Sequence, residues 1–397
     1  MRPSRHSRSA GRWSPESTSS TWALRTSSGE VNDVPSKRRC GHPVEDDALD
    51  LSISVLAHAG SFISQGCARN AQVTDTLEAG DLDLVAALQI APRAGVRVLA
   101  DVLGVSTGTV SRRMTRLRDQ HGMRVVGQVP WWVAGDATPH HVWISTAPGR
   151  TDAVATAIAE LDEAQFVATT TGRADVYCIL HPARRAAAAA LLTATLPSIP
   201  GVAHTHSELG LHRYQSGSSW RLDRLGEDRE RRLMAHRHGA APTGPGRLGA
   251  DEAGIARVLQ RDGRASAAEI AREAGMSAST AYRLTQSLLE RGLVQPRIEI
   301  EPALLGHPLE AVVSLSTSAG TMQEIATALS THPSARYVST VAGTSSVIHH
   351  GLFRHEDDLS DFLARDLGRH PGVTRFEISI VLRVLMRYWT PRAVPAR

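Results

Sequence analysis

Apolar positions along this chain change their spacing several times, and each change marks an element. Between Val96 and Leu117 they fall three and four residues apart in two short runs. Leu99, Val102 and Leu103 share one helical face; Val110, Met114 and Leu117 share a second. Gly104 suits the left-handed end of the first helix, and Ser106 suits the N-cap of the second. The spacing therefore predicts two short helices joined by a tight turn, with an amphipathic helix before them over 81–89. An extended segment follows from Arg124 to Val133. Beyond it, strands are expected over 140–147, 164–171, 175–181 and 202–214, with helices over 149–163 and 183–196. That order is the β-α-β-β-α-β of a ferredoxin-like unit.

The whole pattern occurs twice. Gly104 matches Gly275, Ser106 matches Ser277, and Leu117 matches Leu288, all 171 positions apart (275 − 104). The same offset pairs Arg93 with Arg264, Gly172 with Gly343, and Pro200-Gly201-Val202 with Pro371-Gly372-Val373. The expected fold class is α+β: a tandem repeat of a helical helix-turn-helix domain followed by a ferredoxin-like βαββαβ domain. The helix-turn-helix domains are expected over 76–125 and 250–297, and the βαββαβ domains over 126–222 and 298–391. Residues 223–249, charged and then rich in Gly and Pro, read as a linker whose first half can form a helix. Residues 1–75 are rich in Ser, Arg, Pro and Gly up to about residue 45, then hold one unassigned apolar run. They read as a disordered extension or as translation from too early a start.

Composition narrows the picture only a little. The 397 residues are 42% hydrophobic and 21% charged, values of a soluble globular protein. The formal net charge of +4 means that any surface for nucleic acid must be local. Cys40, Cys67 and Cys178 form no paired motif and point to a reducing compartment, so a cytoplasmic location is expected. Ala186 to Ser207 is uncharged but interrupted by Pro197, Pro200 and Gly201, which argues against a membrane span. A secretory leader pattern is not seen.

The candidate chemistry lies on the second helix of each pair. Ser106, Thr107, Thr109, Ser111 and Arg112 occupy its early turns, where a recognition helix reaches base edges. Arg113 and Arg116 are placed to reach phosphates, which position a protein without reading sequence. In the repeat, Ser277, Ser279, Thr280, Tyr282, Arg283 and Gln286 take the outward positions. Trp131 and Trp132 are expected at an inter-domain or dimer contact. Adjacent histidines such as His140-His141 and His349-His350 point to opposite faces of a strand. His204 and His206 share a face but have no third ligand nearby. Neither a metal site, a cofactor nor a catalytic residue is assigned, and no phosphate-binding or nucleophile-elbow motif occurs.

The runs ALQIAPRAG, LADVLGVSTGTVSRRMTRL, GRADVYCIL and IPGV, with their partners in the second half, resemble the Lrp/AsnC family. The resemblance covers residues 80 to 389. It implies a bacterial transcription regulator that binds double-stranded DNA and senses a small effector, such as an amino acid, through its βαββαβ domains. The family's Gly-x-x-Asp turn is met by Gly172 and Asp175, but by Gly343 and Ser346 in the repeat. An effector site is accordingly expected at Thr171, Gly172, Arg173, Asp175, Gly343, Thr344 and Ser346, with one strong site per pair of domains. The two sensor domains are expected to pack sheet to sheet as an intrachain pseudo-dimer, and the chain to form a homo-oligomer. A second reading comes from the same architecture, since some such proteins are sirohaem decarboxylases that no longer use DNA. The arginine-rich helix at 112–118 favours the regulator.

Overall fold

The computed structural model describes residues 76–130, 133, 137–215, 220–237 and 248–392. The expectations for residues 1–75, for Trp131 and Trp132, and for the Gly/Pro-rich part of the linker lie outside these.

The first helical domain is α1 (Ala79–Ile90), α2 (Val96–Leu103) and α3 (Thr107–His121), followed by strand β1 (Arg124–Gln128). Its repeat is α7 (Ala250–Arg261), α8 (Ala267–Ala274), α9 (Ala278–Glu290) and β6 (Gln295–Glu299). The turn chemistry is the same in both. Gly104 and Gly275 end α2 and α8 in the left-handed region, at φ 70° and 68°. The backbone N–H groups of Thr109 and Thr280 donate to the side chains of Ser106 and Ser277 at 3.1 and 3.2 Å, satisfying free donors at the starts of α3 and α9. Leu99, Val110 and Leu117 close the first core; Ile270, Ala281 and Leu288 close the second.

β1 and β6 pair with each other rather than forming wings within their own domains. They run antiparallel, Arg124 opposite Glu299 and Gln128 opposite Gln295. Each strand crosses toward the other domain. Ile298 and Ile300 join the first core, whereas Val129 and Val133 join the second. The first part of the linker is helical. α6 (Glu227–Met234), between the two units in sequence, buries Leu233 in the first core, and the Arg232 guanidinium pairs with Asp101.

The first βαββαβ domain runs β2 (His140–Thr146), α4 (Thr151–Ala159), β3 (Ala164–Thr170), β4 (Val176–Leu180), α5 (Arg185–Ala190) continued as helix to Ser198, and β5 (Val202–Gln215). The second runs β7 (Leu309–Thr317), α10 (Met322–Ser330), β8 (Ala335–Ala342), β9 (Val347–Phe353), α11 (Glu356–Asp361) continued to Asp366, and β10 (Val373–Arg387). A short β11 (Thr390–Pro391) folds back on β10.

These sheets do not simply stack. β5 pairs with β8 and β10 pairs with β3, so the strands run β10-β3-β4-β2-β5-β8-β9-β7 and return to β10. All eight neighbours are antiparallel, and the sheet closes on itself as a barrel. Closure gives every strand two faces to bury. Val142, Ile144, Val176 and Cys178 lie under α4 and α5, and Val313, Leu315 and Val347 under α10 and α11. Trp143, Phe166, Tyr177, Ile179, Val312 and Ile348 fill the interior. The expected sheet-to-sheet contact is therefore a shared lumen, joined along both edges because each open edge finds an equal partner in the same chain. Leu211 on β5 stays exposed.

Candidate functional site

Two places gather the chemistry. The first is the pair of recognition helices. The domains that carry them meet across a pseudo-twofold axis through equivalent arginines. Arg264 donates to the carbonyls of Pro92 and Ala94 at 2.6 and 2.8 Å, and Arg93 donates back to the carbonyl of Gly263. With the β1–β6 ribbon, these bonds hold α3 and α9 in a set relation.

On α3, Ser106, Thr107, Ser111 and Arg112 are exposed, while Thr109 is half-buried beside its cap. On α9, Ser277, Ser279, Tyr282 and Arg283 are exposed, with Thr280 and Gln286 half-buried. Arg112 and Arg283 are equivalent under the repeat, and neither makes a hydrogen bond or ion pair with the described residues. Arg113 and Arg116 depart from their expected role. Arg113 donates to the Gly80 carbonyl at 3.1 Å and lies 3.6 Å from Asp81. Arg116 pairs with Asp81 and, at 3.1 Å, with Glu78. Asp81 is a fully buried carboxylate on α1, and these two cations compensate it, so they are tied to the domain's own packing. In the repeat, Leu284 replaces Arg113 and packs on the second core.

The second place is one end of the barrel, where the turns after β3 and β8 meet. Arg173 and Thr344 are repeat equivalents, and Arg173 donates to the Thr344 hydroxyl at 3.0 Å. Close approach needs glycine at both turns. A Cβ on Gly172, whose φ is +86°, would sit 2.2 Å from the Ile378 carbonyl oxygen; one on Gly343 would sit 2.4 Å from Glu208 Cγ. Glu208 on β5 is the centre of the cluster. Its Oε1 accepts from the Thr344 hydroxyl at 2.8 Å and from the Ser345 hydroxyl and N–H at 3.0 and 3.1 Å. His206 lies 3.1 Å and Arg173 3.4 Å from the same oxygen. Burial alone would push the Glu208 pKa up. The hydrogen bonds from Thr344 and His206, the charge of Arg173 and the bond from Ser345 outweigh burial and hold it below the usual carboxylate value. Oε2 of Glu208 is buried without a partner, as is the indole nitrogen of Trp143, over whose ring Arg173 lies at 4.3 Å.

Of the expected effector residues, Arg173, Gly343 and Thr344 are brought into this cluster, and Gly172 seats its turn. Thr171 is exposed beside them, its N–H on the Ile380 carbonyl. Asp175 and Ser346 are not brought in. Asp175 accepts from the N–H of Thr146 at 2.7 Å, and Ser346 accepts from the N–H of Thr317 at 3.2 Å. Both brace the end of the neighbouring strand, so an acid at one and an alcohol at the other do the same local work. The asymmetry lies elsewhere: Glu208 is matched by Ser379, Arg173 by Thr344 and Trp143 by Ser314. Sequence reasoning missed Glu208 and Trp143 and weighed His206 only as a metal ligand. The only signal for Glu208 was a carboxylate alternating with histidine in the strand HTHSEL.

Among the described residues no group of three or more His, Cys, Asp or Glu side chains is placed to hold a metal, and no helix is long and apolar enough to cross a membrane.

A pair of helix-turn-helix domains joined to a pair of βαββαβ domains is the architecture of a class of two-domain proteins that includes regulators with a DNA-reading and a ligand-sensing part. Comparison with known proteins places the chain within that class. A family model of the Lrp/AsnC ligand-binding domain matches twice, over residues 141–220 and 310–388. The AsnC-type helix-turn-helix model matches residues 77–118, and the IclR helix-turn-helix model matches 255–297. The chain belongs to the Lrp/AsnC family. Similar curated proteins include the HTH-type transcriptional regulator FL11 of Pyrococcus horikoshii, 28% identical over 130 residues, which are 32% of this chain and 85% of that protein. The regulator LrpA of the same organism is 26% identical over 33% of this chain and 94% of its own length. Among solved structures, the sirohaem decarboxylase NirDL matches 78% of this chain and 92% of its own with a TM-score of 0.53, at 10% identity, a likeness of fold.

Proposed function

We propose that this chain is a DNA-binding transcriptional regulator that does with one polypeptide what single-unit relatives do with two. The observation that carries the reading is the equivalence of Arg112 and Arg283. Both are unpaired cations on Ser-capped helices, and the Arg93 and Arg264 bonds hold those helices in register. Two such helices read two half-sites one helical turn, or a multiple of it, apart. The halves differ in outward residues, so the preferred operator is an imperfect palindrome. The chain is not an enzyme in this reading. A shifted and footprinted fragment from upstream of its own gene is the expected result. Binding no stronger than to random DNA, together with decarboxylation of sirohaem by the purified chain, would establish the enzyme instead.

The effector site in this reading is the cluster around Glu208. The unpartnered Glu208 Oε2 suits an ammonium donor and the Trp143 N–H a carboxylate, beside Arg173, which is held between Glu208 and Glu377 at 3.4 and 3.3 Å. An amino acid presents both. Because Ser379 stands opposite Glu208 under the repeat, one such site exists per chain. Calorimetric titration of an amino-acid panel should find a ligand whose affinity falls roughly tenfold or more in Glu208→Gln. A ligand bound equally well by that variant would exclude this placement.

A further inference from the structure

Away from the Glu208 cluster, the barrel lumen contains a cavity of about 60 Å³. Its wall includes three arginines, Arg213, Arg336 and Arg387, and no carboxylate. Glu310 stands behind Arg387 and takes only one of its nitrogens, Nη2, at 2.7 and 2.9 Å. Nε and Nη1 of Arg387 are buried without a partner, although the residue is only 2% exposed. Arg336 is 6% exposed and makes no hydrogen bond or ion pair with the described residues. The buried Ser339 hydroxyl lies on the same wall, beside Tyr337. Among the described residues Arg387 has one carboxylate in contact, Glu310, and Arg336 has none, so the wall holds more buried positive charge than its contacts neutralise, and such charge is costly. What the wall lacks is a negatively charged acceptor.

We propose that the lumen is a binding site for a small oxyanion, a carboxylate or a phosphate, held between Arg336 and Arg387. The space equals roughly four to six water molecules at about 10–15 Å³ each, enough for an anion of that size. The walls include Tyr388 and Trp389, the two residues of the β10–β11 turn, both held at positive φ (53° and 56°) where glycine or asparagine is usual. A backbone held off its preferred region beside a cavity is the mark of a site whose shape matters. Gln128, the last residue of β1, also lines the cavity, and the charge of Glu299 on β6 acts on Arg336. The ribbon between the DNA-reading domains therefore reaches this site through β1. It is separate from the Glu208 cluster and stands whether or not the chain binds DNA.

The test is the melting midpoint of the full chain in sodium succinate, sodium phosphate and sodium chloride at equal ionic strength. A midpoint raised by succinate or phosphate above the chloride control is expected, and the salt that acts identifies the anion class. Arg336→Met should abolish the rise and lift the midpoint of the ligand-free chain, because it removes an unpaired buried charge. Ser339→Leu, which fills the cavity without touching an arginine, should abolish the rise in a chain of native circular dichroism. It decides the matter if Arg336→Met fails to fold. No rise above chloride in the wild type, or an undiminished rise in the folded variants, would overturn the proposal.

Discussion

Arg112 and Arg116 lie one turn apart on α3 and have different fates. Arg112 is exposed and unpaired, whereas Arg116 is bound to Asp81 and Glu78. Arg112→Ala should weaken specific DNA binding by about 1–3 kcal/mol and relax base preference at one position. Arg116→Ala should act first on stability, since it strands a buried Asp81. A site-library selection and a melting curve on both variants separate these effects. Equal loss of specificity with unchanged melting in both would contradict the assignment. The sequence showed that both arginines face away from the core stripe. It could not show that α1 places a buried carboxylate under one of them. Asp175 teaches the same lesson: its type matched a family turn, but its side chain is consumed by the Thr146 N–H.

At the scale of elements, the helices and strands follow closely from periodicity and punctuation. The expected strand over 140–147 is observed as His140–Thr146 and the helix over 149–163 as Thr151–Ala159. The segment after each recognition helix was less legible. Arg124 to Gln128 reads as extended, yet its partner lies far away at Gln295–Glu299 and belongs to the other repeat. Arg93 and Arg264, linked in sequence only by the repeat offset, are the pins of this junction. Removing the Arg264 bonds to Pro92 and Ala94 by Arg264→Ala should cost about 1.5–3 kcal/mol. The double variant Arg93→Ala/Arg264→Ala should lose affinity for a two-half-site fragment while keeping its affinity for one half-site. Urea unfolding and gel titration on both fragments measure this, and parallel losses on the two would rule out the pinning role.

At the scale of the whole molecule, closing the barrel buries histidines that the sequence leaves undistinguished. Burial lowers His141, His181 and His349 from an ordinary 6.5 to about 3. His141 stays neutral between the hydroxyls of Tyr177 and Tyr337, at 2.7 and 3.2 Å. Below pH 6.5 the unfolded chain binds protons at these three positions while the folded chain does not. Their contribution is thus full above pH 6.5 and is lost as pH falls toward 3. At its steepest the loss is about 4 kcal/mol per pH unit for three such groups. Urea midpoints should therefore fall sharply between pH 7 and pH 5, and His141→Gln should flatten the slope by about a third. A pH-independent midpoint over that range would show that the histidines titrate normally.

The sequence by itself determined the repeat, the order of the elements, the capped recognition helices and the family, because these depend on local spacing and on chemistry within a few turns of chain. The tertiary structure decided which groups are spent and which are free. Edge pairing of β5 with β8 and β10 with β3 joined two sheets into one lumen, and only then did Glu208, Arg336 and Arg387 become buried groups with polar atoms left over. Burial and pairing arise from residues far apart along the chain, and no local pattern encodes them.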